Sequence, residues 1–226
     1  MKTGFPGAGY ETPFWEKGLL VAGIDEAGRG PLAGPVVAAA VILMPMSNNP
    51  GFADSKVLSE KRRRELLFRI QEQSYAVQTA FVTADVIDAI NIRRATLLAM
   101  TEAADALEPQ PHHALIDGNF FLHETLPFTT IIDGDAKCLS IAAASIVAKT
   151  ARDRWMTETA DVRYPDYGFA AHKGYGTQLH IAALKRFGPC PLHRRTFLRK
   201  IFDHDYESLF QEYQNRQPGA EPRHAG

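Results

Sequence analysis

The chain has 226 residues, with 25 Lys and Arg against 26 Asp and Glu, a formal net charge of -1 and 45% hydrophobic residues. That is ordinary globular composition, with length for one full core or one core plus a small appendage. It excludes a globally basic nucleic-acid-binding chain. Apolar runs are too short to span a membrane, and two cysteines make neither a disulfide framework nor a zinc pattern, so we read a soluble protein of a reducing, cytoplasmic compartment.

Residues 1–11 contain Gly and Pro without an apolar core, so they are not read as a signal peptide. Residues 1–17 read as a flexible lead-in. The apolar run 19–24 follows Gly18 and reads as a buried strand. Asp25 and Glu26 come directly after it, then Gly28-Arg29-Gly30 and Gly34. Two adjacent acids at the end of a buried strand are costly unless a cation holds them. Glycines let a backbone approach an anion, and Arg offers it a guanidinium. Acids for a metal beside amides and Arg for a phosphate point to metal-assisted phosphodiester chemistry. A solvated glycine-rich turn is the plainer alternative.

Residues 36–44 are rich in Val, Ala and Ile and predict a second strand, antiparallel to the first. After a loop at 47–51, Asp54-Ser55-Lys56 leads to Ser59, the predicted N-cap of a helix running to Glu72 with Leu66, Leu67 and Ile70 inward. Residues 75–82 predict a third strand. Thr83 caps a short helical turn, and Asn91 begins a helix to about Leu107 that Pro109 and Pro111 end. The basic clusters at 61–64, 194–195 and 199–200 read by default as solvated helix faces.

Two short apolar runs then repeat the opening arrangement. Residues 113–116 end in Asp117-Gly118-Asn119, and 129–132 in Asp133-Gly134-Asp135. Ligands bind at the carboxyl ends of strands in open sheets, so acids from three strand ends can converge on one metal site. His112 and His113 lack ligand spacing and read as structural or exposed. Residues 139–154 predict an Ala-rich helix whose small side chains allow close packing on a sheet. Ser145, Lys149 and Arg152 share one face of it, near the site or solvated. Tyr164 and Tyr167 lie in a Pro/Gly loop. Tyr175, between two glycines and near Lys173, could stack on a sugar or base, or simply pack. Thr177 predicts the cap of a helix to Phe187. A break at 188–191 precedes a basic amphipathic segment, and 215–226 read as disordered.

In their order, the blocks at 23–36, 54–59, 116–119, 134–135, 141–153, 172–177 and 193–194 make the chain resemble the ribonuclease HII family, the type-two ribonuclease H of bacteria. The resemblance covers about residues 19 to 200. It implies an α/β, ribonuclease H-like mixed five-stranded sheet flanked by helices, with a helical C-terminal extension. On that reading residues 18–188 form the catalytic domain and 189–214 the extension. The resemblance implies an endonuclease that hydrolyses the RNA strand of RNA–DNA hybrids and nicks 5′ to single ribonucleotides in duplex DNA. It places the metal-binding acids on Asp25, Glu26, Asp117 and Asp135, with two Mg²⁺ or Mn²⁺ ions. Asp133 is a rival for the fourth position. Gly28-Arg29-Gly30 is implied as the 2′-hydroxyl-sensing loop and Tyr175 as the tyrosine stacking on the deoxyribose, with Tyr164 and Tyr167 as rivals. Lys56, Ser145 and Lys149 are the remaining expected substrate contacts. The partner is nucleic acid, without a membrane, and the chain a monomer. Another two-metal nuclease of the same fold, or a binding module without cleavage, are the competing readings.

Overall fold

The computed structural model describes residues 6–45, 51–52, 55, 58–199 and 201. In chain order the main elements are α1 (Thr12–Trp15), β1 (Val21–Ala27), β2 (Val36–Leu43), α2 (Glu60–Glu72), β3 (Ser74–Val82), α3 (Ala84–Asp105), β4 (His113–Asp117), β5 (Phe128–Ile131) and α4 (Leu139–Trp155). The short α5 (Asp161–Arg163) and α6 (Phe169–His172), then α7 (Gln178–Phe187) and α8 (Arg195–Leu198), complete the helical C-terminal region. The described residues fall into two compact units: those within 6–29, 36–82 and 92–152 form one, and those within 30–35, 83–91 and 153–201 the other.

The first unit holds the sheet, in the order β3-β2-β1-β4-β5. β1 pairs antiparallel with β2 and parallel with β4; β2–β3 is antiparallel and β4–β5 parallel. All eight residues of β2 are buried, which explains its unbroken Val/Ala/Ile run. Phe52, Leu66 and Ile70 join Ala39, Val41 and Leu43 in one apolar cluster with Ala142, Ile146 and Val147. Ser59 caps α2 as expected, its hydroxyl accepting from the Arg62 amide at 3.2 Å. Inside α3, Asn91 turns left-handed (φ 67°), where the sequence predicts a second helix to begin. His112 and His113 are structural: His112 Nδ1 accepts from the Leu20 amide at 3.0 Å, and the His113 ring stacks on Phe14.

Residues 6–17 are not the flexible lead-in expected of them. Glu11 is fully buried. Its Oε1 accepts from the Ser140 amide (2.7 Å), the Ser140 hydroxyl (2.7 Å) and the Cys138 thiol (3.0 Å). A carboxylate thereby caps the first turn of α4, satisfying the Ser140 amide, which has no partner within the helix, and matching the helix's positive end. Apolar periodicity carries no trace of such a contact, because it comes from an acid 129 residues away from Ser140. Oε2 has no partner, so Glu11→Gln can keep all three bonds through its carbonyl, whereas Glu11→Ala strands three buried donors. Denaturant unfolding is expected to show a loss of about 2–3 kcal/mol for Ala and about 1 kcal/mol for Gln. Equal losses would mean that the charge alone matters.

The second unit has its own apolar cluster, including Ala33, Met156, Tyr167, Phe169, Leu184 and Leu198. Asp88 accepts from the Arg195 and Thr196 amides at 2.7 and 3.0 Å and so starts α8. The Thr177 hydroxyl caps α7 by accepting from the His180 amide. Both cysteines are free and buried, and burial pushes the Cys190 thiol up to about 12 and Cys138 well above its usual range; neither is a nucleophile near neutral pH.

Candidate active site

β1 and β4 run parallel with Ile24 opposite Ile116, so the next residue along each strand is Asp25 and Asp117. Strand β1 continues through both of its acids to Ala27, two residues past the strand end expected at about Asp25. Carboxylate oxygens of Asp25, Glu26 and Asp117 lie within 4.8 Å of one another. Asp25 is 5% exposed. Burial first, then the charges of Glu26 and Asp117, push its carboxyl well above the usual range, opposed by hydrogen bonds from the Ser145 side chain and the Glu26 amide. That amide donates to Asp25 Oδ1 at 2.7 Å.

Each of the other two acids has its own support. Asp117 Oδ1 accepts from the Gly134 amide at 2.7 Å. A Cβ on Gly134 would stand 3.2 Å from that same oxygen and 2.7 Å from Ile141 Cδ1, so this position needs glycine for close approach. Glu26 Oε1 meets Arg29 Nη1 at 3.2 Å. The Arg29 side chain is 58% exposed, and an exposed ion pair of this kind contributes little stability.

The fourth expected acid, Asp135, is buried in a single 3-10 turn, Gly134–Ala136, but is not one of the three that converge. Its rival Asp133 is turned outward, with a side chain 75% exposed and 3.9 Å from the Lys137 ammonium. Ser145 is buried, 3.0 Å from the Ser55 hydroxyl, and hydrogen-bonded to Asp25. Lys149 is half-buried one turn further along α4, and Arg152 is fully buried, which removes the solvated-face reading for it. Gly28 is buried with φ 96°, and Gly30 is exposed with open space where a Cβ would go. Tyr175 is 41% exposed, whereas its rivals Tyr164 and Tyr167 are buried. Lys56 lies outside the described residues.

A cleft of about 290 Å³ opens beside Glu26 and Asp117, lined also by Arg29, Arg93, Asn119 and Phe120. The Arg93 guanidinium lies 4.5 Å from the centre of the Phe120 ring. Sequence reasoning missed Arg93 and Phe120, since an Arg on a helix reads as solvated and a lone Phe after a turn as packing. The Asp117-Gly118-Asn119 turn was the one available signal.

Three carboxylates gathered in a mostly desolvated spot with one exposed Arg beside them are mutually repulsive. The donor set is all hard oxygen, which suits a divalent cation. Ligands must be ionised to bind, and Asp25 resists ionisation, so divalent-ion affinity is expected to rise with pH, with proton release on binding. Calorimetry in buffers of different ionisation enthalpy measures that release; pH-independent affinity would show Asp25 already charged.

Comparison with known proteins gives one consistent relationship. The family model described as Ribonuclease HII matches residues 22–204. A ribonuclease HII from Syntrophotalea carbinolica is 52% identical over 177 residues, 78% of this chain and 84% of the relative. One from Coxiella burnetii is 52% identical over 191 residues, 83% of this chain and 93% of that protein. Among solved structures, the ribonuclease H2 of Pyrococcus horikoshii superposes with a TM-score of 0.69 at 26% identity, covering 84% of this chain and 99% of its own.

Proposed function

This chain belongs to the ribonuclease HII family, and from that premise we propose that Asp25, Glu26, Asp117 and Asp135 hold the divalent ions with which it cuts RNA in RNA–DNA hybrids. The observation that supports this reading most is the convergence of three carboxylates within 4.8 Å on adjacent parallel strands. When bound, two such ions supply an ionised water and neutralise charge on the leaving 3′ oxygen. The chain's own part is to hold the ligands in place. Ser145 and the Glu26 amide fix Asp25, the Gly134 amide aims Asp117, and burial of Asp135 favours it over the outward Asp133. We assign Mg²⁺ or Mn²⁺ as the ions, on the hardness of the ligands.

The same reading gives Gly28-Arg29-Gly30 the ribose. Backbone groups there can sense a 2′-hydroxyl, which is both donor and acceptor and distinguishes RNA from DNA. Tyr175 stacks on the deoxyribose after the junction, a role its exposure allows and the burial of Tyr164 and Tyr167 denies to them. Lys56 and Lys149 contact phosphates, which fix register without reading bases. The protein acts as a cytoplasmic monomer on this reading. No described helix is long and apolar enough to cross a membrane. Since a Cβ at position 30 meets nothing in the protein, Gly30→Ala is expected to change stability by less than about 0.5 kcal/mol while slowing cleavage severalfold. Unchanged kcat/KM would remove the ribose-sensing role.

The deciding assay uses a labelled DNA duplex carrying one ribonucleotide, with Mg²⁺, Mn²⁺ or chelator. A metal-dependent nick 5′ to the ribonucleotide is the expected result. An intact duplex beside a cut all-RNA hybrid would leave the metal site standing but remove the junction roles. Cutting of DNA alone would favour another two-metal nuclease, and no cutting with any metal a binding module.

A further inference from the structure

The second unit contains three buried histidines: His172, His180 and His193. Their rings lie together, with His172 stacked on His180 at 4.4 Å between centroids and 15° between planes. His180 Nε2 and His193 Nε2 are 3.0 Å apart, a distance that requires one proton between them. Burial holds both rings neutral, pushing His180 down to about 4 and His193 to about 3.

Their other nitrogens decide where the proton sits. His180 Nδ1 is 2.9 Å from the carbonyl oxygen of Tyr175, which can only accept, so His180 carries its proton on Nδ1. His180 Nε2 is then an acceptor and His193 Nε2–H the donor. His193 Nδ1 is left to accept, and the Cys190 amide donates to it at 2.9 Å. The opposite assignment would set a bare Nδ1 2.9 Å from the Tyr175 carbonyl; this one leaves His193 Nδ1 facing the Cys190 carbonyl at the longer distance of 3.2 Å, with the Cys190 amide donating to it at 2.9 Å. A one-way chain results: Cys190 N–H to His193, His193 to His180, His180 to the Tyr175 carbonyl. The same carbonyl also accepts from the Thr177 amide at 2.8 Å, and the Tyr175 amide donates to His172 O at 2.9 Å. One residue before Tyr175, the Gly174 amide donates to His172 Nδ1 at 3.2 Å. Gly174 lies against the 32–33 backbone: its carbonyl accepts from the Leu32 amide at 2.8 Å, and a Cβ there would lie 2.4 Å from Ala33 O, so the position admits only glycine.

So much buried polar machinery around one exposed aromatic residue is costly unless every group is satisfied, and fixing both peptide groups of Tyr175 fixes the direction in which its side chain leaves the backbone. We propose that the His193–His180 relay is a positioning device that presents the Tyr175 ring to the sugar at the RNA–DNA junction, so that His180 and His193 set junction selectivity without touching substrate. The proposal rests on the stacking role given to Tyr175 above. It adds two specificity-determining residues that act through the backbone.

The test compares cleavage of a duplex with one ribonucleotide and of an all-RNA hybrid by the full chain with Mg²⁺, taking the ratio of kcat/KM values. Tyr175→Ala is expected to lower that ratio roughly tenfold, the scale of one lost stacking contact. His193→Phe, which keeps a ring but no donor, should lower it similarly. The double variant should fall little further, since the two act as one unit. His193→Gln, whose amide N–H reaches the Nε2 position, should restore most of the ratio. A wild-type ratio in His193→Phe, with Tyr175→Ala impaired, overturns the relay and leaves the stacking role standing. A wild-type ratio in Tyr175→Ala overturns the stacking role and the proposal with it. If His193→Phe does not fold, histidine nitrogen NMR of the unaltered protein decides. Protonated Nδ1 on His180 with protonated Nε2 on His193 supports the relay, and any other pair of tautomers overturns it.

Discussion

Asp25→Asn is expected to abolish cleavage and, without metal, to make the protein more stable. Both effects come from one feature: Asp25 is desolvated between Glu26 and Asp117, and its carboxyl is pushed well above the ordinary value of 3.8. An acid whose folded-state value is raised favours the fold most when protonated. Its contribution is complete below the unfolded value of about 4 and is lost as pH rises through the folded value. At neutral pH the metal-free protein has therefore already lost it, and the neutral Asn isostere avoids the loss. A gain of about 1–2 kcal/mol is expected, the usual scale when a strained functional site is relaxed. Removing a ligand should remove several kcal/mol of charge stabilisation in the transition state; at about 1.4 kcal/mol per tenfold, roughly 4 kcal/mol is a thousandfold loss. Thermal unfolding with chelator, and then with saturating Mg²⁺, separates the two effects. The parent should gain more from metal than the variant, because only binding to the folded state stabilises it. A variant that cleaves normally, or is less stable without metal, would remove Asp25 from the ligand set.

The sequence showed most of the sheet, for a physical reason. Strands β1, β2 and β4 are buried, so their apolar runs are nearly continuous, and the acids that interrupt them stand out. Asp25, Glu26 and Asp117 were legible in this way. Caps were legible too, because Ser59 and Thr177 act on amides three residues away. What the sequence concealed depends on contacts between distant segments. Glu11 reads as a polar residue in a loose arm, yet it pins a helix whose start lies far along the chain. Ser145 and Arg152 share a face of α4 that periodicity could not distinguish from a solvated one. The relay histidines, His180 and His193, and the His172 ring stacked on His180 have no periodic spacing, and only α6, α7 and the loop before α8 bring them together. The chain's division into two units was equally hidden, since residues 30–35 and 83–91 join the second from inside the sequence of the first.

Gly23→Ala should be among the most damaging single-methyl changes in the chain. Gly23 lies in β1 opposite Val41 and Leu115, in the middle of a buried apolar strand where sequence reasoning would tolerate Ala readily. In the fold, the Cβ would stand 2.1 Å from Ser140 C and 2.4 Å from both Ile141 N and Ser140 O. These are backbone atoms, so no rotamer change relieves the clash. Either β1 or the start of α4 must move by about an ångström or more. Two things oppose movement of α4: Glu11 holds the Ser140 amide and hydroxyl, and Ala142, Ala143 and Ala144 are fully buried on the following turn. Overpacking commonly costs about 1–3 kcal/mol and more where nothing yields, so a loss of about 3 kcal/mol or more is expected in urea unfolding. The site should suffer as well, because Asp25 is two residues along the same strand and Ser145 lies further along the same helix. The variant's remaining folded population should therefore show lower kcat with weakened metal affinity. Adding Glu11→Ala gives the internal check. If α4 is clamped from both sides, releasing the Glu11 clamp lets the helix back away from the added methyl group, and the double variant should lose less than the sum of the single losses. Strict additivity would mean that the helix yields without help from the N-terminal arm. A Gly23→Ala protein with parent-like stability would show that α4 does not lie against β1 as closely as these distances require.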